Sequence, residues 1–201
     1  MAQLNLPALP RQATVTEIPI TSGTVQTPAW GGPLLPLERT GDRWAVDVSI
    51  PALEAATCGA TFKRMLSMAK LNTVVLALPE PGMPERNYGA PKTRTTGAQG
   101  TTLPLKGLTP NVVIPDGKWL NLLIGGRHYL YMADGQQTAS STGTIDLKIW
   151  PMIRRSAAAD ATVKLNGVVI DGHANVDSGF QGKRFGRTGI LALNFRIEEA
   201  E

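Results

Sequence analysis

Cysteine is almost missing from this chain. Cys58 stands alone among 201 residues, so no internal disulfide can form, which fits a reducing compartment or assembly inside a cell. Histidine is nearly as scarce: His128 and His173 are the only two, a poor inventory for a transition-metal centre. No apolar run approaches the ~18 residues that a membrane-spanning helix needs. The opening MAQLNLPALPRQ has neither a basic leader nor an apolar core, so no signal peptide is expected, and synthesis is expected in the cytoplasm without membrane insertion. Charge is thin as well, at 18% of residues against about a quarter in an ordinary globular protein. A surface so sparsely charged need not be solvated everywhere, as in a subunit of an assembly. The formal net charge of +4 is scattered, apart from Arg154–Arg155 and Lys183–Arg184–Arg187. A nucleic-acid binder concentrates such charge along one face or helix, and this chain does not.

What the chain does have is punctuation. Gly 21 and Pro 15 break it into many short runs, which read as strands and turns, in one or two domains. Residues 1–12 read as an irregular arm. Thr14 to Leu37 reads as two short strands joined by a long loop. From Arg43 to Ile50, Trp44, Val46, Val48 and Ile50 point one way and Arg43, Ala45, Asp47 and Ser49 the other, so this is a half-buried strand. Pro51 suits the first turn of a helix, Glu54 complements its dipole, and Leu53, Phe62, Met65, Leu66 and Ala69 fit one helical face, which predicts a helix over 51–70. Thr73 to Leu78 is apolar throughout, as in a strand covered on both faces.

Residues 79–100 read as a long loop or domain connection. A second β unit follows over 98–152, with Gly125–Gly126 as a hairpin turn, because glycine takes positive φ at both turn positions. Pro151 to Ala161 reads as connector, and TVKLNGVVI as another hairpin turning at Asn166–Gly167. Residues 179–189 read as a basic loop. The closing run ILALNFRI alternates Leu191, Leu193, Phe195 and Ile197 against Ala192, Asn194, Arg196 and Glu198, and is expected to complete the first sheet. The fold class is therefore mainly β, a first unit over 13–80 and 160–201 with one flanking helix, and a small barrel- or sandwich-like unit inserted in it.

Chemistry is harder to find. Cys58 with His128 or His173 beside it could act as a nucleophile, but it falls in the middle of the expected helix, where a buried, inert thiol is the favoured reading. His128 reads as a strand residue. Asp171, His173 and Asp177 alternate, so on a strand they share a face that could hold a hard cation; polar, solvent-facing residues are the favoured reading. GGRHYL and GFQGKRFG lack the context of a phosphate loop. Of the tryptophans, Trp44 is in register with the core, while Trp30, Trp119 and Trp150 sit at turns or strand ends, suited to a stacking face or to a buried interface. No catalytic, cofactor or metal site is expected, and the chain is not expected to be an enzyme.

With its segments in order, the chain resembles the distal-tail (Dit-like) group of siphophage and prophage tail-tip proteins. The resemblance rests on SGTVQTPAWGG followed by ERTGDRWAVDVSIPAL, on LSMAKL before an apolar strand, on GAQGTTLPLKGLTPNVVIPDGKWLNLLIGGRHYLYMA followed by GTIDLKIWPMIRRSAAADATV, and on the closing FRIEEAE. It spans most of the chain from Gly23 onward. It implies a tail-tube-like β-sandwich or split barrel with one helix, assembling into a homo-oligomeric ring, commonly a hexamer, at the distal end of a non-contractile phage tail. Such a ring joins the tail tube protein to the hub, baseplate and receptor-binding proteins, and DNA passes through its lumen. The basic residues of GKRFGR are expected to face a partner protein rather than the channel. Three other readings stay open: the tail tube protein itself, a carbohydrate-binding module using Trp119, Tyr129 and Tyr131, and an enzyme using Cys58.

Overall fold

The computed structural model describes residues 3–37, 40–54, 59–69, 71–83, 85–175, 183–185 and 190–200. In chain order the first elements are β1 (Gln3–Asn5), β2 (Thr14–Ile20), β3 (Thr24–Gln26), β4 (Leu35–Leu37), β5 (Arg43–Glu54), α1 (Ala60–Met68) and β6 (Thr73–Ala77). There follow β7 (Gly89–Thr93), β8 (Gly100–Leu108), β9 (Val113–Ile114), β10 (Trp119–Ile124), β11 (Arg127–Ala133), β12 (Gln137–Thr138) and β13 (Ile145–Ile153). The last are β14 (Val163–Lys164), β15 (Val169–Asn175), β16 (Lys183–Phe185) and β17 (Ile190–Glu199). The protein is mainly β, as its turn-rich sequence indicates.

Two sheets carry the architecture. The larger has the order β1-β6-β15-β17-β5-β2, with β16 beside β17. Residues 3–5, inside the stretch read as an irregular arm, run parallel to β6; three residues are too few to show a period. The closing run lies in this sheet between β15 and β5, as expected. Its inward residues Leu193, Phe195 and Ile197 meet Trp44, Val46, Val48 and Ile50 of β5, all buried. On top of them lies α1, burying Phe62 and Leu66, with the Phe62 and Phe195 ring centroids 6.4 Å apart. Each such side chain contributes about 1.5–3 kcal/mol by leaving water. β6 is buried from Thr73 to Leu76, matching its unbroken apolar run.

The helix expected over 51–70 is a correction. The strand β5 runs on through Pro51 to Glu54, and α1 begins at Ala60. The cause is tertiary. Between Leu191 and Leu193 the β5–β17 register shifts, Leu191 facing Leu53 and Leu193 facing Ile50, so a bulge absorbs the proline. On its other side β2 has already ended at the Thr14–Ser49 pair, so no ladder there needs a donor from Pro51. Of the expected helical face, Phe62 and Leu66 of α1 and Ala69 just after it are buried, and Met65 packs partly buried against the same core.

The second sheet has the order β14-β10-β11-β13-β8-β7. It curls until its ends nearly meet: Lys92 and Thr162 form an antiparallel bridge, and Thr93 exchanges backbone hydrogen bonds with Asp160 and Ala161, both at 3.0 Å. The barrel-like interior holds Leu103, Leu105, Leu120, Leu122, Tyr131 and Leu147. β7 lies in the stretch read as a loop, and Pro91 is tolerated there because β7 is the last strand of its sheet and its register against β8 is irregular. The Gly125–Gly126 turn is as expected, with φ of 59° and 80° joining β10 to β11. Asn166–Gly167 is not a hairpin turn. β14 pairs with β10 while β15 pairs with β6 and β17, so this turn carries the chain from one sheet to the other. Leu165 and Val168, either side of it, are buried in the two different cores.

Candidate functional site

Period-two alternation gives the larger sheet a second face, away from α1, along β2, β5 and β17. Thr14, Thr16, Ser49 and Asn194 are exposed on it, and Ser49 Oγ bonds Asn194 Oδ1 at 2.8 Å. Its charges cancel locally. Arg196 Nε lies 3.9 Å from Asp47, and Arg43 donates to Glu198 through Nε at 2.9 Å and again through Nη2. A shallow depression of about 510 Å³ runs across these strands, lined by hydroxyls, amides and the paired charges together with Val48 and Phe195. Partly exposed pairs of this kind contribute at most about 1 kcal/mol each. The two pairs, Arg196 with Asp47 and Arg43 with Glu198, leave these positions with no net charge.

An arm leaves the β2–β5 edge of this sheet. Past the Ile20–Arg43 pair the chain continues as the short ladder β3–β4, with Thr24 opposite Leu37, and a tip around Trp30. From Thr21 to Leu37 there is no charged residue. Val25, Leu34 and Leu35 are exposed on it, and Trp30 is 97% exposed.

The barrel-like unit is fixed across one end of the larger sheet by three carboxylates. All of Arg127–Met132 pairs with β10, but antiparallel pairs alternate in their hydrogen bonding, and the N–H groups of His128 and Leu130 are free to point away from β10; β13 meets β11 only at Met132 and Ala133. Asp171 and Glu199 fill that open edge, accepting from His128 N at 3.2 Å and Leu130 N at 2.7 Å. Asp171 also accepts from Gln3 Nε2 at 2.7 Å and lies 3.4 Å from Arg127 Nη1. Glu199 accepts from Trp44 N at 3.3 Å and pairs with Arg154 Nη2 at 2.5 Å. Glu80 does the same at the neighbouring edge, taking Trp119 N at 3.3 Å and Lys118 Nζ at 2.6 Å. Asn121 adds two bonds to Val169, accepting its N–H at 2.7 Å and donating to its carbonyl at 2.8 Å. Between them Trp44 meets Trp119 and Trp150 edge-on, centroids 4.5 and 4.7 Å apart.

Burial pushes the Glu199 carboxyl above its ordinary range, against the pull of Arg154 and the two N–H donors. His128 is pushed the other way, below 6.5, first by burial and then by Lys164, with Asp171 opposing. A cleft of about 450 Å³ opens beside this junction, lined by Thr40, Gly41, Tyr129, Arg154 and Arg155. Arg154 there lies over the Tyr129 ring, 5.4 Å from its centroid, and Arg155 donates to the Tyr129 hydroxyl at 3.2 Å.

Several sequence readings are settled by these positions. Asp171 is buried in the junction, correcting its reading as solvent-facing, while His173 two residues on is exposed. Trp119, Tyr129 and Tyr131 are buried, so they form no stacking platform for a sugar. Trp119 and Trp150 belong to the buried contact between sheets and Trp30 does not. Cys58, Asp177 and Arg187 lie outside the described residues, and of GKRFGR only the backbone of β16 is described. Among the described residues no three metal-ligating side chains converge, and no helix is long and apolar enough to cross a membrane. The anchoring role of Glu199 escaped the sequence reading, although its register continues that of Leu193, Phe195 and Ile197 and so pointed inward. Compared with known proteins, the chain matches no family model and no curated protein.

Proposed function

We propose that this chain is a structural subunit of a long non-contractile phage tail. Copies form a ring, six in number, at the distal end of the tail tube, joining the tube to the hub and baseplate and lining the channel through which DNA passes. Its place in the cell's product is the virion tail tip. The observation that supports the reading is the larger sheet itself: α1 on one face, charge-balanced pairs on the other along β5 and β17, and both outer strands, β1 and β2, paired on one side only among the described residues. Unpaired strand edges invite pairing with another chain, and a ring uses them up. Such a face turned to the lumen passes DNA without holding it. The resemblance of the segment order to distal-tail proteins supplies the position in the tail.

The test places a marker on that face. Ser49→Cys in a Cys58→Ser background, coupled to a gold cluster, puts the density at the centre of ring views in negative stain. Density on the outer rim contradicts the lumen assignment. Long tubes in place of rings favour the tail tube protein over the distal ring.

A further inference from the structure

Arg154 and Arg155 follow β13 directly, in a bend of the chain. Within a strand, successive side chains part to opposite faces; past its end that rule lapses, and both arginines line the cleft beside the junction with Tyr129, Thr40 and Gly41. None of the described residues lining it is acidic. Arg154 is held deep. Its side chain is 7% exposed and its Nη2 meets Glu199 Oε1, yet its Nε and Nη1 are buried with no hydrogen-bond partner among the described residues. The Tyr129 ring, which its guanidinium overlies, attracts the charge without offering an oxygen to those N–H groups. A buried charged group left short of acceptors is costly, and a bound ion is one partner that makes up such a deficit.

Arg155 is exposed and donates through Nη1 to the Tyr129 hydroxyl. Its Nε and Nη2, a fork that grips an oxyanion, are left uncommitted among the described residues. Because the Tyr129 hydroxyl accepts from Arg155, its own proton is left to donate. Glu199 alone answers the two guanidiniums, and it also accepts the N–H groups of Trp44 and Leu130. We propose that this cleft is a binding site for a phosphate group, free or carried on a small molecule. Donors spread over Arg154, Arg155, Tyr129 and Thr40 suit a tetrahedral phosphate, with its several acceptor oxygens, better than a planar carboxylate. Its volume of about 450 Å³ falls in the range of small-molecule pockets. Two arginines in one cleft are too local for a nucleic-acid backbone, which is met by basic groups strung along a face. All the lining residues belong to one chain, so the site is independent of the ring reading.

Isothermal titration calorimetry of the whole chain tests the site, using inorganic phosphate and glycerol phosphate as probes in chloride buffer of fixed ionic strength. One phosphate binds per chain, and Arg155→Gln weakens it about tenfold or more, the loss expected when a charge-assisted hydrogen bond is removed. Arg155 is exposed, so the thermal melt of the variant without phosphate matches the parent and misfolding does not explain the loss. Arg64→Gln removes the same charge from an exposed position on α1 and leaves the affinity unchanged. Tighter binding of glycerol phosphate makes the ligand a phosphorylated small molecule, and equal or weaker binding makes it the free anion; either result supports the site. No saturable binding of either probe overturns it, as does equal affinity in Arg155→Gln or an equal loss in Arg64→Gln. Acetate that binds as tightly as phosphate overturns it too.

Discussion

Glu199 shows how much can rest on one side chain. It is buried at the end of β17, yet it accepts from two backbone N–H groups in different sheets and pairs with Arg154, itself almost wholly enclosed. Removing it leaves a buried guanidinium without its counter-charge and orphans Leu130 N and Trp44 N. Loss of one partner from a buried pair costs about 3–5 kcal/mol, and Glu199→Ala should lower the urea unfolding free energy by that order. Glu199→Gln keeps an acceptor and should cost less. His128 should make a pH-dependent contribution to stability. Its folded pKa lies below 6.5, so the unfolded chain takes up the proton first as pH falls; stability from this group is complete above 6.5 and is lost through the range below it. Urea midpoints measured between pH 7 and 5 should fall for the parent and fall less for His128→Gln. Equal slopes would place the sensitivity elsewhere.

At the scale of elements, glycine positions separate close packing from turn geometry. A Cβ on Gly172 would press into the carbonyl of Glu198 and lie 2.9 Å from Cα of Glu199, backbone that cannot move without parting β15 from β17. Gly125, at φ 59°, has open space around it. Gly172→Ala should therefore cost about 3 kcal/mol, the upper part of the overpacking range. Gly125→Ala should cost only the ~1–2 kcal/mol of left-handed backbone. Thermal melts that rank the two the other way would contradict this. The strands whose alternation faces a covered side were legible from sequence: Arg43–Ile50, the closing run, the glycine hairpin and the Phe62–Leu66 face of α1. Pro51 was not, because only its partner β17 reveals a bulge. The Asn166–Gly167 turn has the residues of a hairpin but flanks strands whose partners lie elsewhere, and local sequence cannot show that. The candidate face was half legible, since Asp47, Ser49, Asn194 and Arg196 alternate with the core; how far that face is covered depends on where the barrel-like unit packs.

At the scale of the molecule, the insertion of the barrel-like unit between β6 and β15, two neighbours in one sheet, and the carboxylates that take its edge N–H groups make a subunit whose two parts are held directly rather than by a linker. Among the described residues, the outer edges of β1 and β2 and the uncharged arm are left open to other chains. The proposed ring would draw on these features to close around a channel. The most direct measurement is the particle mass of the purified protein by light scattering, with negative-stain images of the same sample. A closed ring of six copies with an open centre is the predicted result. A particle that remains a monomer up to its solubility limit, or a compact dimer with no lumen, would contradict the account.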